Sequence, residues 1–291
     1  MDSSSLLYYL DVVCGNGLTL NTEHRAALHT SLLILKRNYK FNRVLFWGKI
    51  LGIKNDYYIA QGVGEDEIKD RKCLYSFNCM DWHLLPPATE ALAEDVAVAA
   101  KGRFIGDPSH QYEHHETQHR RDGDDAAKGE VTLKVSEENR LAVTVFHIDN
   151  EVSVVPRGAY IKSPHGTVQN NRSFEGLNPT EAAKLNNYLH FSEPKYLKTK
   201  SILEMADLNP TIDFLDPLSE DIPKGSWSLQ FEHGGRVCVI RSLIWLGLTF
   251  FHVPETSQHG WCALNYSASL NLHRHTNEQT ERMSGLFKTC L

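Results

Sequence analysis

The spacing of hydrophobic residues predicts two amphipathic helices near the start of the sequence. Apolar residues recur at helical spacing over 6–13, and glycine follows as a typical helix stop. A second helix is predicted over 21–38, with a basic last turn that suits the helix dipole. Its apolar face consists of Leu28, Leu32 and Leu35. Two amphipathic helices this close together predict a helical hairpin that packs on another element.

Further along the chain the hydrophobic pattern changes to that of β-strands. Residues 43–53 are β-rich and apolar, turn residues follow, and 56–60 is predicted to return as a hairpin partner. Alternation with period two predicts a third strand over 72–85. A second hairpin is predicted from alternating residues 227–231, a Gly-Gly turn, and a return strand over 237–248.

Helix start signals and short apolar runs predict further helices and strands in the remaining chain. A threonine N-cap and an Ala-rich pattern predict a helix over 89–100. The Asn-Pro-Thr-Glu start at 178 predicts a helix to about residue 190. Strands are predicted over 131–135 and 151–155, whereas 137–148 fits either a helix or a strand.

Residues 107–130 contain almost nothing apolar and predict a long mobile surface loop. The fold class that follows is α+β. We expect an N-terminal helical hairpin and short helices packed on an antiparallel β-sheet, with one long polar insertion loop.

Composition excludes several functional classes. Hydrophobic residues make up 41% and charged residues 23% of the 291 residues, as is usual for globular chains. The net charge of −6 argues against nucleic-acid binding and against a polybasic membrane surface. The longest apolar run, 243–251, is shorter than the about 20 residues of a membrane span. No basic segment precedes the first apolar run, so a secretory signal is not expected and we expect a soluble intracellular chain. No C-x-x-C pair occurs and the cysteines are widely spread, so we expect them to be reduced.

One catalytic pattern occurs, His-Glu-Thr-Gln-His at 115–119. On a helix, His115 and His119 would bind one zinc ion while Glu116 acts as a general base, which gives a zinc hydrolase hypothesis. The flanking residues provide no apolar stripe to anchor such a helix. We therefore expect no metal site, no cofactor and no catalytic site; weak adventitious metal binding by His115 and His119 is favoured over the zinc hydrolase.

Two further groups of residues have ordinary structural explanations. The five tryptophans lie in or beside predicted strands, where core packing is the default and interface anchoring is the alternative. The acidic stretch over 204–221 lacks the ligand spacing of a calcium loop and predicts an extended surface connection.

Eight short segments in order resemble the radial spoke head proteins of motile cilia and flagella. They lie at 43–52 (RVLFWGKILG), 56–60 (DYYIA), 84–89 (LLPPAT), 101–108 (KGRFIGDP), 155–160 (VPRGAY), 174–177 (FEGL), 221–228 (DIPKGSWS) and 241–245 (RSLIW). The family usually reads Trp-Pro-Gly where this chain has Trp-Leu-Gly at 245–247. The resemblance ends after Trp261, which predicts a family domain over 1–261 and a divergent tail over 262–291.

The resemblance implies a non-catalytic structural subunit of the radial spoke head, in the axoneme of the cilium or flagellum. It implies a role in spoke-head assembly and in coordinated ciliary and sperm motility. The implied partners are four/six-type head proteins, repeat-containing head proteins and a stalk protein, with the central pair as an indirect partner. Neither nucleic acid nor membrane is expected as a partner. The alternatives are the zinc hydrolase and a soluble cytosolic adaptor. The candidate partner-interface residues are Trp47, Pro156, Arg157, Trp227, Arg241 and Trp245.

Overall fold

The computed structural model describes residues 1–3, 6–14, 20–117 and 130–266. Within these ranges the chain forms two compact units. We call them the sheet unit (1–50, 57–84 and 147–266) and the hairpin unit (51–56 and 85–146). The fold class is α+β, as predicted.

The helices of the described residues are α1 (Leu6–Cys14), α2 (Thr22–Asn38), α3 (Glu90–Ala99), α4 (Glu137–Val152), α5 (Pro179–Ala182) and α6 (Ile202–Ala206). The predicted first two helices are confirmed, and the Asn21 side chain accepts a hydrogen bond from the His24 N–H at the start of α2. Thr89 caps α3 in the same way. The ambiguous segment after residue 136 is a helix. In the described residues, no helix is long and apolar enough to cross a membrane.

The strands are β1 (Arg43–Ile50), β2 (Tyr57–Val63), β3 (Arg71–Ser76), β4 (His83–Leu84), β5 (Gln111–Thr117), β6 (Glu130–Ser136), β7 (Val154–Pro156), β8 (Tyr160–Lys162), β9 (Val168–Asn170), β10 (Tyr188–His190), β11 (Trp227–Glu232), β12 (Val237–Ser242), β13 (Leu248–His252) and β14 (His259–Tyr266). Eight of them form one sheet in the order β11-β12-β13-β14-β1-β2-β3-β4. Both predicted hairpins are confirmed.

One pair in the large sheet is parallel, and sequence patterns did not predict it. Strand β14 lies beside β1, with Gly48 opposite Ala263. A Cβ atom at Gly48 would lie 2.0 Å from the Ala263 carbonyl oxygen, and its φ is +154°. Glycine is therefore required where the two backbones approach closely. Because β14 extends to Tyr266, five residues assigned to the tail belong to a strand, and the domain boundary at 261 stays a prediction.

The helical hairpin packs on one face of the large sheet. The buried residues Leu28, Leu32 and Leu35 of α2 join one core with Phe46 of β1 and Phe251 of β13. A second core in the sheet unit surrounds the short strands that follow α4. It contains Val155, Ala159, Tyr160, Val168, Leu189, Phe191, Phe214 and Leu215.

Some sequence predictions about local structure were wrong. The strands predicted over 72–85 and 237–248 end at Ser76 and Ser242, and residues 151 and 152 of the strand predicted over 151–155 belong to α4. Residues 111–117 form β5, paired with β6, instead of belonging to a loop over 107–130; residues 118–129 lie outside the described residues. The helix predicted from 178 to 190 ends at Ala182. Asn187 donates its side-chain N–H to the Glu181 carbonyl, and residues 188–190 then pair with β7. Tertiary pairing thus overrides a strong helix start.

The hairpin unit has a small core of its own. Val96 and Ala100 of the α3 segment pack with Val135 of β6 and Val143 of α4. Tyr112 of β5 is partly buried against the same core. The β5–β6 hairpin is polar on its other side, which explains why its sequence resembles that of a loop.

Candidate interaction surface

Arg157 and Asp213 form a two-pronged ion pair just after β7. Arg157 Nε lies 2.5 Å from Asp213 Oδ1, and Nη2 lies 2.8 Å from Oδ2. The Asn209 N–H also donates to Asp213. Burial alone would raise the pKa of Asp213, but these hydrogen bonds outweigh it and lower the pKa below its ordinary value. The pair fixes the turn after β7 to the connection before β11.

A neighbouring carboxylate holds another loop of the sheet unit. Asp216 is buried and accepts the backbone N–H groups of Lys195, Tyr196 and Leu197, at 2.5, 2.9 and 2.8 Å. The acidic stretch predicted as a surface connection therefore supplies buried hydrogen-bond acceptors at Asp213 and Asp216. Sequence patterns did not reveal this role, because the donors to Asp216 lie 19 to 21 positions away and the guanidinium that pairs with Asp213 lies 56 positions away.

Two tryptophans among the interface candidates are buried and hydrogen-bonded. Trp227 Nε1 donates to Asp221 Oδ2 at 2.6 Å. Trp245 Nε1 donates to Glu151 Oε2 at 2.7 Å. Their rings contribute to the interior, while the indole N–H groups fix the loops beside them.

The segments 221–228 and 241–247 meet at one end of the β11–β12 hairpin. The Leu243 N–H donates to the Ser226 carbonyl at 2.9 Å, and Trp227 lies opposite Ser242. Large apolar side chains project into solvent from these segments. They are Ile222 (65% exposed), Leu243 (49%) and Leu246 (52%), and we call them the apolar rim.

The apolar rim was missed because of its sequence context. Leu243 and Leu246 belong to the longest apolar run of the chain, which is typical of a buried strand. The chain instead turns over 243–247, and Gly247 adopts a φ of +95° there. That glycine was the available signal of a turn. Exposed apolar side chains on well-fixed loops are suited to contact another protein.

In the hairpin unit, a buried carboxylate fixes the segment 101–108. Glu137 accepts hydrogen bonds from the backbone N–H groups of Ile105, Gly106 and Asp107. The Tyr112 hydroxyl donates to the same carboxylate at 2.5 Å. Burial and this hydrogen bond raise the pKa of Tyr112 to about 12.

Arg140 completes this arrangement from the next turn of α4. Its guanidinium is buried, donates to the Gly102 carbonyl at 2.6 Å, and lies over the Phe104 ring at 4.3 Å from the centroid. It also donates to the Tyr112 hydroxyl. A charged group this deeply buried is held by its hydrogen bonds and ring contact, so the 101–108 segment is rigid.

The described part of the His-Glu-Thr-Gln-His pattern is not helical, as the zinc hypothesis would require. His115 and Glu116 lie on strand β5, which lacks the helical turn that the pattern needs to bring two histidines four residues apart onto one metal ion. His115 Nδ1 lies 3.2 Å from Thr132 Oγ1, and His119 lies outside the described residues. Among the residues that can be described, no group of three or more His, Cys, Asp or Glu is arranged to bind a metal ion.

Comparison with known proteins settles the family. A family model described as radial spokehead-like protein matches residues 4–192. The chain is 70% identical to the radial spoke head protein 9 homolog of Danio rerio over 261 residues, which is 90% of this chain and 94% of that protein. The chain belongs to the radial spokehead-like protein family. The Bos taurus and Homo sapiens radial spoke head protein 9 homologs are 52% and 51% identical over the same lengths.

Family membership confirms the resemblance seen in the sequence, whereas the interface candidates stay predictions. Trp47 is 1% exposed, packs edge-to-face on Trp261, and has a buried Nε1 with no hydrogen-bond partner among the described residues. Pro156 is buried in β7. Arg241 forms an ion pair with Glu232 on the neighbouring strand.

In this family member, Cys79 and Cys238 are buried and Cys73 is partly buried. Burial raises the pKa of Cys73 and of Cys79 to about 12. A thiol with such a pKa is protonated at neutral pH and is a poor nucleophile.

Proposed function

We propose that the chain is a non-catalytic structural subunit of the radial spoke head in the axoneme of motile cilia and flagella. The observation that carries the proposal is the identity of 70% to the Danio rerio radial spoke head protein 9 homolog over 90% of the chain. The subunit takes part in spoke-head assembly and thereby in coordinated ciliary and sperm motility. Its site of action is the cytoskeleton of the cilium, with no role for nucleic acid or membrane.

The proposed partners are other radial spoke head proteins: four/six-type proteins, repeat-containing head proteins and a stalk protein. Contact with the central pair is indirect. A permanent place in such a complex needs rigid loops that present apolar side chains. The hydrogen bond from Trp227 to Asp221 and the backbone hydrogen bond from Leu243 to Ser226 fix the segments that carry the apolar rim, and the rim supplies the exposed apolar area.

Cells that lack this chain provide the test. Loss of the chain is expected to remove the spoke head from axonemes seen by electron cryotomography, and re-expression of the full chain is expected to restore it. Normal spoke heads in axonemes that lack the chain would refute the proposal.

The two alternatives predict different results. A cytosolic adaptor would leave the spoke head intact. A zinc hydrolase would retain one zinc ion per chain after dialysis and lose it in His115→Ala. We expect substoichiometric zinc that this substitution does not change.

A further inference from the structure

The solvent-facing side of α2 combines exposed apolar and cationic side chains. Leu33 is 46% exposed and Ile34 is 54% exposed, while their neighbours toward the sheet are buried. Lys36 and Arg37 follow on the helix at three- and four-residue spacing, and Lys40 lies just beyond the helix end at Asn38; all three are exposed. Residues at this spacing share one side of a helix. We call these five residues the outer face of α2.

The cations of the outer face have no neutralising partner in the part of the chain that is described. Lys36, Arg37 and Lys40 form no ion pair with any residue in the described ranges. By contrast, Arg25 near the start of α2 pairs with Asp11 at 2.9 Å. The chain as a whole carries a net charge of −6, so this is a local positive patch beside exposed leucine and isoleucine.

Charge decides which occupant fits the outer face. A second copy of the chain would place the same three cations against each other if the two outer faces met, which costs free energy. The residues outside the described ranges are poor candidates too. Segment 267–291 has two acidic residues and three basic ones, and 118–129 has three of each. An acidic surface of another protein is the complementary occupant.

We propose that the outer face of α2 docks an acidic amphipathic segment of a neighbouring protein in the spoke head. Leu33 and Ile34 contact its apolar side chains, and Lys36, Arg37 and Lys40 contact its carboxylates. This inference rests on the proposed function and adds to it a second contact surface, distinct in chemistry from the uncharged apolar rim.

Photocrosslinking in assembled axonemes tests the inference. The full chain carrying benzoylphenylalanine at position 33 is expressed in cells that lack the native chain, and demembranated axonemes are irradiated. We expect a crosslink to a different protein, and mass spectrometry is expected to place it in a peptide with net negative charge. A crosslink to this chain itself, a crosslink to a neutral or basic peptide, or no crosslink would overturn the inference.

Two matched variants test the role of charge. The first variant carries three substitutions together, Lys36→Glu, Arg37→Glu and Lys40→Glu. It is expected to reduce the yield of the crosslink at least tenfold. The control is a single variant with three substitutions at exposed positions elsewhere, Lys72→Glu, Lys162→Glu and Lys184→Glu. It changes the net charge by the same amount and is expected to leave the crosslink yield unchanged. Equal yields from both variants would refute the charge argument.

The outcomes separate the inference from the proposed function. A chain that remains in the axoneme but gives no acidic crosslink refutes only the docking inference. A chain that is absent from the axoneme refutes both. Position 33 is half exposed, so thermal unfolding of the labelled chain should match that of the unlabelled chain.

Discussion

The Glu137 carboxylate accepts a hydrogen bond from the backbone N–H of Gly106 at 2.6 Å. The same carboxylate accepts hydrogen bonds from the two adjacent backbone N–H groups, those of Ile105 and Asp107. These amides belong to the 101–108 segment, one of the stretches through which the sequence resembles its family. The conformation of this segment is therefore fixed by the side chain of Glu137, which lies 31 residues after Gly106 in the sequence. Buried amide groups without an acceptor are costly, so the carboxylate is central to the stability of the hairpin unit.

Replacing Glu137 should destabilise the hairpin unit. Glu137→Ala leaves three backbone N–H groups and the Tyr112 hydroxyl without their acceptor, and we expect a loss of about 3–5 kcal/mol in the free energy of unfolding. Chemical denaturation measures the change. Glu94→Ala, at an exposed position of α3, is the control and should change stability by less than about 0.5 kcal/mol. Equal effects of the two substitutions would contradict this account.

Acid should weaken the fold through His252. Its Nε2 accepts the Leu177 N–H, and its Nδ1 lies 3.1 Å from the Gln258 carbonyl, so the buried ring is neutral. Burial lowers the pKa of His252 from 6.5 to about 4. Between these values the unfolded chain binds a proton that the folded chain does not. The free energy of unfolding should therefore fall as pH decreases from about 6.5 to 4, by up to about 3 kcal/mol.

Thermal unfolding at several pH values tests the role of His252. His252→Gln is expected to reduce the pH dependence in that window by up to about 3 kcal/mol, whatever its effect on stability at neutral pH. The remaining dependence is expected from the paired His259, whose pKa is lowered to about 3 by burial and by the charge of His252. His29→Gln, at an exposed position of α2, should retain it. An unchanged pH slope in the His252 variant would assign the effect to other groups.

Trp227 should contribute to stability through both its ring and its N–H group. The side chain is buried, so Trp227→Ala is expected to cost about 3–5 kcal/mol. Trp227→Phe keeps most of the ring but removes the donor to Asp221, and a smaller loss of about 1–2 kcal/mol is expected. Phe231→Ala, at an exposed position on the same strand, is the control. A melting curve unchanged by Trp227→Ala would show that the ring is not a core group.

The apolar rim should affect assembly and leave the isolated fold intact. The test variant carries three serine substitutions together, Ile222→Ser, Leu243→Ser and Leu246→Ser. All three side chains are exposed, so the melting temperature should stay close to that of the native chain. Retention in axonemes is expected to fall at least several-fold. Ile222→Val, Leu243→Met and Leu246→Met keep the apolar area and should be retained. Normal retention of the serine variant would exclude the rim as a contact surface.

The predictable parts of the fold are those with a local cause. Helix α2 has an N-cap at Asn21 and leucines at helical spacing, and the β1–β2 hairpin has an apolar run on each side of turn residues. The pairing of β14 with β1 joins residues more than 200 positions apart and leaves no local pattern. The polar hairpin of β5 and β6 likewise has no apolar alternation over β5 to reveal it.

The candidate surface was predictable only in part. Motifs in the sequence identified the segments around Trp227 and Trp245, and the structure brings these segments together. The exposed side chains between them were not predictable, because Leu243 and Leu246 resemble core residues until the turn is seen. The carboxylates of Glu137 and Asp216 act on backbone groups that only the tertiary fold brings close.

Fractionation of demembranated motile cilia tests the central claim most directly. Full-length chain is quantified in the detergent-soluble matrix, in the axonemal pellet, and in successive salt extracts of that pellet. We predict that the chain stays in the pellet after detergent and leaves with other spoke-head proteins at the same salt concentration. Release of the chain into the detergent-soluble matrix, while other spoke-head proteins remain in the pellet, would contradict the account.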